Sequence, residues 1–383
     1  MCVKYPSHLV FNQNHRISFP YTTHFVFAII IVPECEIPTT VPERHTSTIV
    51  PECKSSTIVP ECERITVVPE IKYEFSGGAG HYDYAPSFII DGYGIIYGYL
   101  CENREPFKIV DYIYLYKGIP TKNGYVWQPG VEVLAPSAHG WDDCHICDPD
   151  VREFKTRWKG QEYNYIMTYL GVDQWDCCHN QIGLAVSPTI EGPWTKYDGN
   201  PIVPYEGRDK WGTGQSTTIV KNDSTIVLYY HSTTQNGPFA RREIILNDLD
   251  NIRIGAEEKI PHLAANSYPM YSDDSIYMVS EIRDENYNGL IPTWVGNVCQ
   301  VASIPIYADM SAEVNPWTEL GRITEDMSGF PRNHNPGFLT DTKGYLPSDE
   351  KLVVFFTPAV TGEDWLWSYD LYSATFNLKK DKI

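Results

Sequence analysis

From Tyr73 onward the chain alternates short aromatic and β-branched runs with turn clusters, and no long stretch carries a helical apolar period. This pattern predicts an all-β domain of many short strands. The runs recur as a block that opens on a polar or acidic residue, continues as an apolar strand, turns, and returns as a second, aromatic strand. The first block reads Asp83 to Ile90, the turn Asp91-Gly92, then Ile95 to Leu100; the second reads Asp148 to Val151, then Tyr163 to Leu170. The third reads Gln215 to Val220, the turn Asn222-Asp223, then Thr225 to Tyr230. The fourth reads Ser267 to Met270, the turn Asp273-Asp274, then Ile276 to Ser280, and the fifth His334 to Leu339, then Lys351 to Thr357. Further strand-like runs follow each pair, such as Ile182 to Ser187 and Val298 to Ile304. Four strands per block, repeated five times, predict a five-bladed β-propeller over residues 73–383. The last block supplies only three clear strands, so the fourth must come from elsewhere. The segment Ile65 to Phe75, just before the first blade, is the expected donor.

Residues 1–72 follow another rule. Val-Pro-Glu recurs at Val32, Val41, Val50, Val59 and Val68, a nine-residue period. A proline in every repeat forbids a continuous helix and weakens any central strand, so this part is expected to be an extended, low-complexity extension, disordered and outside the fold.

Composition narrows the function classes. The 27 Tyr and 10 Trp are rich in side chains that favour strands and stack on sugar rings. A net charge of −19 repels phosphate backbones, which argues against a nucleic-acid partner. No apolar run is long enough for a membrane span; the nearest, Phe25 to Val32, covers about half of one. The weakly basic flank of that run makes a poor export signal, so secreted or periplasmic placement is left open. Oligomeric state is not legible.

The second block carries the most specific text: Cys147-Asp-Pro-Asp-Val151, Ile182-Gly-Leu-Ala-Val-Ser187, Glu191-Gly-Pro-Trp-Thr-Lys196 and Asn200-Pro-Ile-Val203. This series resembles the Asp-Pro-x-Val, Ile-Gly-Leu-Ala-x-Ser, Gly-Pro-Trp and Asn-Pro-Ile segments of the five-bladed propeller glycoside hydrolases of families 43, 32, 68 and 130, bacterial β-xylosidase-like proteins in particular. Tyr82-Asp-Tyr-Ala-Pro-Ser87 and Asn333-His-Asn-Pro-Gly337 fit them as well. The resemblance covers roughly residues 75–378 and implies a carbohydrate substrate and cleavage of a glycosidic bond, of β-xylosidase or arabinofuranosidase type first.

Glycoside hydrolysis requires one carboxyl group as acid and a second as base or nucleophile, flanking the scissile bond. Three residues fit by position: Asp83 as base, Asp148 as orienting or acidic partner, and Glu281 as general acid. Tyr82, His145, Gln215, His231, Asn333, His334 and Trp365 are expected to line the substrate site. Three departures from the family 43 pattern stand out: Ala85 precedes Pro86 where that family has Asp, Gln215 opens the third blade, and Asn266-Ser-Tyr-Pro269 opens the fourth. They favour, as rival, a carbohydrate-binding propeller without catalysis; a third reading is a family 130-like phosphorylase. The latter needs a basic phosphate pocket, for which Arg241, Arg242 and Arg283 are the candidates.

No cofactor is required by this chemistry. The resemblance places His334 where family 43 carries a histidine that touches a central calcium through water, so a structural calcium in the channel is a candidate. Cys144-His-Ile-Cys147 and Cys177-Cys-His179 offer three readings: a zinc site, a disulfide between the two loops, or ordinary thiols lining a pocket.

Overall fold

The computed structural model describes residues 68–378, apart from positions 123, 176–177, 208–210, 233–238, 265, 286, 294 and 349. The Val-Pro-Glu copies before Val68 lie outside the described residues, as do Cys177 and Trp294.

The chain forms five antiparallel β-sheets in sequence, which are the blades of a propeller. Their inner strands are Asp83–Ile90, His145–Trp158, Thr213–Asn222, Ser267–Tyr271 and Arg332–Asp341. The second strands are Ile96–Asn103, Gln161–Val172, Thr225–Ser232, Ser275–Ile282 and Lys351–Ala359. Third strands follow at Asp111–Thr121, Gln181–Ser187, Phe239–Ile245, Val298–Pro305 and Leu371–Asn377. The outer strand of blade V is Glu70–Phe75, which pairs antiparallel with Leu371–Asn377 and so joins the two ends of the described chain in one sheet. This is the closure expected from the strand count. The last Val-Pro-Glu copy leads directly into it, and its Glu70 is the first strand residue. Next to this closure, the inner strands of blades V and I run parallel and hydrogen-bonded, Phe88 opposite Leu339.

The blades hold together because their strands are apolar on both faces. Successive side chains of a strand point to opposite sides, so each blade feeds two inter-blade cores. Ile219 packs with Tyr229, Ile276 and Met278 between blades III and IV, whereas its neighbour Val220 packs with Phe154, Ile166 and Ile226 between blades II and III. Phe88 and Ile89 divide in the same way between the V–I and I–II junctions. A further cluster, with Met270, Val279, Val354 and Phe356, fills the IV–V junction. Each of the five junctions thus has its own apolar core. This explains why the strands read as near-continuous hydrophobic runs instead of alternating. Among the described residues no helix is long and apolar enough to cross a membrane.

Candidate active site

Each inner strand breaks its extended conformation once. Ala85, Asp148, Gln215, Asn266 and Asn335 have φ of +51°, +46°, +53°, +51° and +44°. In blades I, II, III and V the register with the second strand slips at this point, the signature of a β-bulge. In blade IV the equivalent Asn266 immediately precedes the inner strand. Asn and Asp tolerate the left-handed region better than other non-glycine residues, which suits three of the five positions. The bulges bring one residue per blade to the axis. With the residues that follow them, these five line a small axial hollow of about 40 Å³ that opens to solvent.

Asp148 is the one carboxyl group among the residues that line this hollow. Its Oδ2 accepts the Gln215 backbone N–H at 3.2 Å. Burial pushes its pKa up to about 7; the Gln215 hydrogen bond opposes the rise and the charge of Asp111 adds to it. The Gln215 side chain continues the line, because its Oε1 accepts the Asn266 N–H at 3.0 Å. Asn266 Nδ2 in turn donates to Glu281 Oε2 at 2.8 Å. A hydrogen-bonded path therefore runs along the rim of the hollow from Asp148 to Glu281.

Glu281 stands at the end of the second strand of blade IV and is buried. Its Oε2 meets His334 Nδ1 and accepts the Asn335 N–H at 3.3 Å, while Oε1 accepts the Gly296 N–H. Burial alone raises its pKa, but the charge and hydrogen bond of His334, with the bonds from Gly296 and Asn266, outweigh burial and hold the carboxyl below its usual range. His334 is itself buried and stacks on Tyr369, centroids 5.5 Å apart.

Asp83 is placed differently from the expected base. It does not line the hollow, where blade I presents Ala85. Its carboxyl is fully buried, accepts the Gly77 N–H and lies 3.4 Å from the Tyr116 hydroxyl, which also donates to Glu102 at 2.7 Å. Burial, then the charge of Glu102, push the pKa of Asp83 well up. The left-handed turn at Ala85 explains the placement: it breaks the alternation of the strand, so a residue two positions earlier does not share the axis-facing side.

The other expected residues divide into two groups. Gln215 lines the hollow; His334 joins Glu281, and this pair stands behind the lining, tied to it through Asn266 and Asn335. Tyr82 and His145 meet one place further out, around a carboxylate that sequence reasoning missed. Asp111 accepts the hydroxyls of Tyr82 at 2.6 Å and Tyr84 at 3.0 Å, and its Oδ2 lies 3.2 Å from His145 Nδ1. The exposed indole of Trp175 meets the His145 ring edge-on at 4.8 Å. Asp111 opens an ordinary-looking strand, Asp-Tyr-Ile-Tyr-Leu-Tyr, and nothing in that text marks it. His231 contacts Trp211 edge-on at 4.8 Å, beside the bulge of blade III. Asn333 is fully buried and donates to the Asn297 carbonyl at 3.2 Å. Trp365 packs against Tyr369 and over the Arg332 guanidinium at 5.9 Å. Asn333 and Trp365 therefore support the wall of blade V and are not among the residues lining the hollow.

Beyond the bulges the axis is closed by a second group that the sequence did not announce. Asp150 and Arg152 form a fully buried ion pair, 2.9 Å. Asp150 accepts from Ser87 of blade I, from the Thr218 N–H of blade III and from Tyr268 of blade IV. Arg152 donates to the Thr218 carbonyl and to the Tyr268 hydroxyl. One pair on blade II thus ties four blades.

Of the three readings of these cysteines, the plain thiol fits Cys144, whereas Cys147 and Cys178 are disulfide-bonded. Cys147 is bonded to Cys101 of blade I, across 46 residues, and Cys144 is free and buried. A Cys144–Cys147 zinc site is therefore excluded, since Cys147 has no thiolate to offer. The residues of the hollow also fit a calcium ion poorly. Calcium takes six to eight oxygen ligands, with carboxylates prominent. Here one carboxyl faces the hollow, and burial favours its neutral form. A phosphate finds no Arg or Lys among the lining residues. Arg241 is clamped by Glu258 at 2.9 and 2.7 Å, Arg242 pairs with Glu257, and Arg283 donates to the Thr293 carbonyl.

This five-bladed β-propeller fold is also that of several solved glycoside hydrolases. Solved structures of that class match over most of the chain. A family 117 glycoside hydrolase of the marine bacterium Zobellia galactanivorans is 14% identical with a TM-score of 0.52, covering 82% of this chain and 91% of its own. The α-L-arabinofuranosidase PaAbf62A of Podospora anserina, solved with cellotriose, is 12% identical with a TM-score of 0.53, covering 82% and 98%. A family 43 enzyme of Xanthomonas citri, solved with xylotriose, is 13% identical with a TM-score of 0.50, covering 81% and 90%. At these identities the likeness is one of fold. No protein-family model matches the chain, and no curated protein matches it.

Proposed function

We propose that this protein hydrolyses a glycosidic bond at the axial hollow, with Asp148 as general acid and His334, oriented by Glu281, as general base. The observation that carries this is the opposite displacement of two carboxyl groups joined by one hydrogen-bonded rim. Asp148, with its pKa pushed up to about 7, keeps about half its protons at pH 7, whereas Glu281 is held as the anion. Environments that push two titratable groups apart in this way divide acid from base.

In this scheme Asp148 gives its proton to the leaving-group oxygen. Within it, the Glu281 carboxylate keeps the His334 proton on Nδ1, Nε2 is the atom that takes a proton from the attacking water, and Glu281 stabilises the imidazolium that results. Glu281 is unsuited to act alone as nucleophile because its two oxygens already accept four hydrogen-bond donors. Blades II and V flank blade I, so the two groups approach from different sides of the axis. The small Ala85 leaves room between them. The oligosaccharides bound by the matching enzymes make pentosides and arabinofuranosides the first substrates to try, and the ring-faced residues near the rim, Trp175 above all, suit a sugar face.

The test is a screen of nitrophenyl xylosides and arabinofuranosides with wild type, Asp148→Asn, Glu281→Gln and His334→Asn. Each variant is expected to lose about 10²–10⁴-fold in kcat, the range of one general acid or base. Activity unchanged in all three would remove the assignment. The second reading, a sugar-binding propeller without catalysis, is favoured by Ala85 standing where the blade I carboxylate is expected. Wild type that binds xylotriose but turns over no glycoside would establish it.

A further inference from the structure

We propose that the Cys101–Cys147 disulfide is a positioning element for Asp148, holding its left-handed turn and walling its carboxyl from water. The proposal rests on Asp148 being the acid of the hydrolysis above, and it is tested below in a way that separates the two.

Three observations carry it. Cys147 is the residue directly before Asp148, so the covalent bond to blade I fixes the backbone at the bulge itself. The bonded sulfur of Cys101 also accepts the Asp148 N–H at 3.0 Å, which satisfies a donor that the slipped register takes out of the strand ladder. Third, the Asp148 carboxyl lies within 4.8 Å of both sulfurs. The disulfide packs there with Leu170, Val172, Tyr84, Ala85 and Trp211, an apolar wall.

The pseudo-symmetry of the fold makes this specific. The residue before the bulge is Tyr84 in blade I, Gly214 in blade III and His334 in blade V, and none of these is a cysteine. The cross-link thus occurs at the blade whose bulge residue is a carboxylic acid. A staple serving stability alone has no reason to choose that position. Besides the disulfide, the titratable groups coupled to Asp148 are Asp111 and the Tyr84 hydroxyl, both from blade I, and blade III contributes the neutral Gln215 N–H. Loosening the wall between blades I and II therefore admits water to Asp148 and separates it from the Asp111 charge, and both changes favour ionisation.

The experiment compares wild type with Cys101→Ala/Cys147→Ala, and with the volume-restoring Cys101→Val/Cys147→Ala should the first fail to fold. The Asp148 carboxyl is followed by carbon-13 NMR titration, its signal identified by its loss in Asp148→Asn. The midpoint is expected to fall by about one unit or more in the double variant, with kcat on a nitrophenyl glycoside down by about tenfold and KM nearly unchanged. A carboxyl midpoint and pH–rate profile that stay in place while only the thermal midpoint drops would reduce the disulfide to a staple and overturn the proposal. Because the NMR titration needs no substrate, a protein inactive on every glycoside would sink the hydrolase reading and still decide the role of the disulfide.

Discussion

Glu281 and His334 meet carboxylate to imidazole across the junction of blades IV and V, and this contact keeps a buried carboxyl ionised against the pull of its surroundings. Its consequence for stability has a definite sign. The folded-state pKa lies below the usual 4.5, so the contribution is fully present above that value and is lost as pH falls through the lower, folded one. Removing the anion strands the donors around it. Glu281→Gln is therefore expected to lower stability by about 3–5 kcal/mol at pH 7, and by progressively less in acid. Urea unfolding of both proteins at pH 7 and pH 3.5 checks this; an equal gap at the two pH values would contradict the ionised state.

Asp148 carries the opposite sign. Its folded-state pKa of about 7 exceeds the usual 3.8, so the native protein keeps a proton that the unfolded chain has released. Stability is whole below pH 3.8 and declines as pH rises through 7, by at most about 4 kcal/mol. Asn mimics the neutral form and already occupies the same left-handed position in blades IV and V, at Asn266 and Asn335. Asp148→Asn should thus raise the thermal midpoint at pH 8 and leave it almost unchanged at pH 4. The same substitution should lower kcat by about 10²–10⁴-fold. In wild type the rate should fall on the alkaline side with a midpoint near pH 7, as the acid loses its proton. A rate that climbs through pH 7 would exclude Asp148 as the acid.

Asp83 separates position in the sequence from position in the fold. Its carboxyl shares a dry site with Glu102 and the Tyr116 hydroxyl, away from the hollow lining, and its raised pKa again penalises folding as pH increases. Asp83→Asn is expected to raise the thermal midpoint at pH 7–8 and to change kcat by no more than about threefold, against 10²–10⁴-fold for a true general base. Collapse of kcat in a folded Asp83→Asn protein would return the base to Asp83.

The contrast shows how far the text of the chain could be read. Blade number and closure were legible because strands buried on both faces leave long apolar runs, and because a final block with three strands needs a fourth. The places of Glu281 and Gln215 were legible because each sits at the start or end of such a run, but the expected role of Glu281 as general acid was not, since its donors hold it as the anion. Asp83 was misplaced because a left-handed bulge resets which side chain faces the axis, and φ at Ala85 is not written in an Ala-Pro pair. Asp111 and the Asp150–Arg152 pair were missed for another reason. Asp111 meets Tyr82 and Tyr84 of its own blade from nearly thirty residues away and His145 of the next blade, and the partners of Asp150 come from three other blades, as with Tyr268. Only the closed ring brings them together. The Cys101–Cys147 bond hid in the same way, since the nearer CxxC spacing drew attention to Cys144.

Trp175 offers the simplest probe of where sugar lies. Its indole is 58% exposed and so can meet a ligand from solution. It is anchored edge-on against His145, itself tied to Asp111, so the platform is preorganised beside the Asp148 end of the hollow. An aromatic face contributes about 0.5–1.5 kcal/mol to stacking, so Trp175→Ala should raise KM for an oligosaccharide by about three- to tenfold. The turnover number should hold, because the contact is made equally in the ground state and the transition state. A nitrophenyl monosaccharide too short to reach Trp175 should show no change in either constant. Equal losses with short and long substrates would place Trp175 in the scaffold and move the sugar platform elsewhere on the rim.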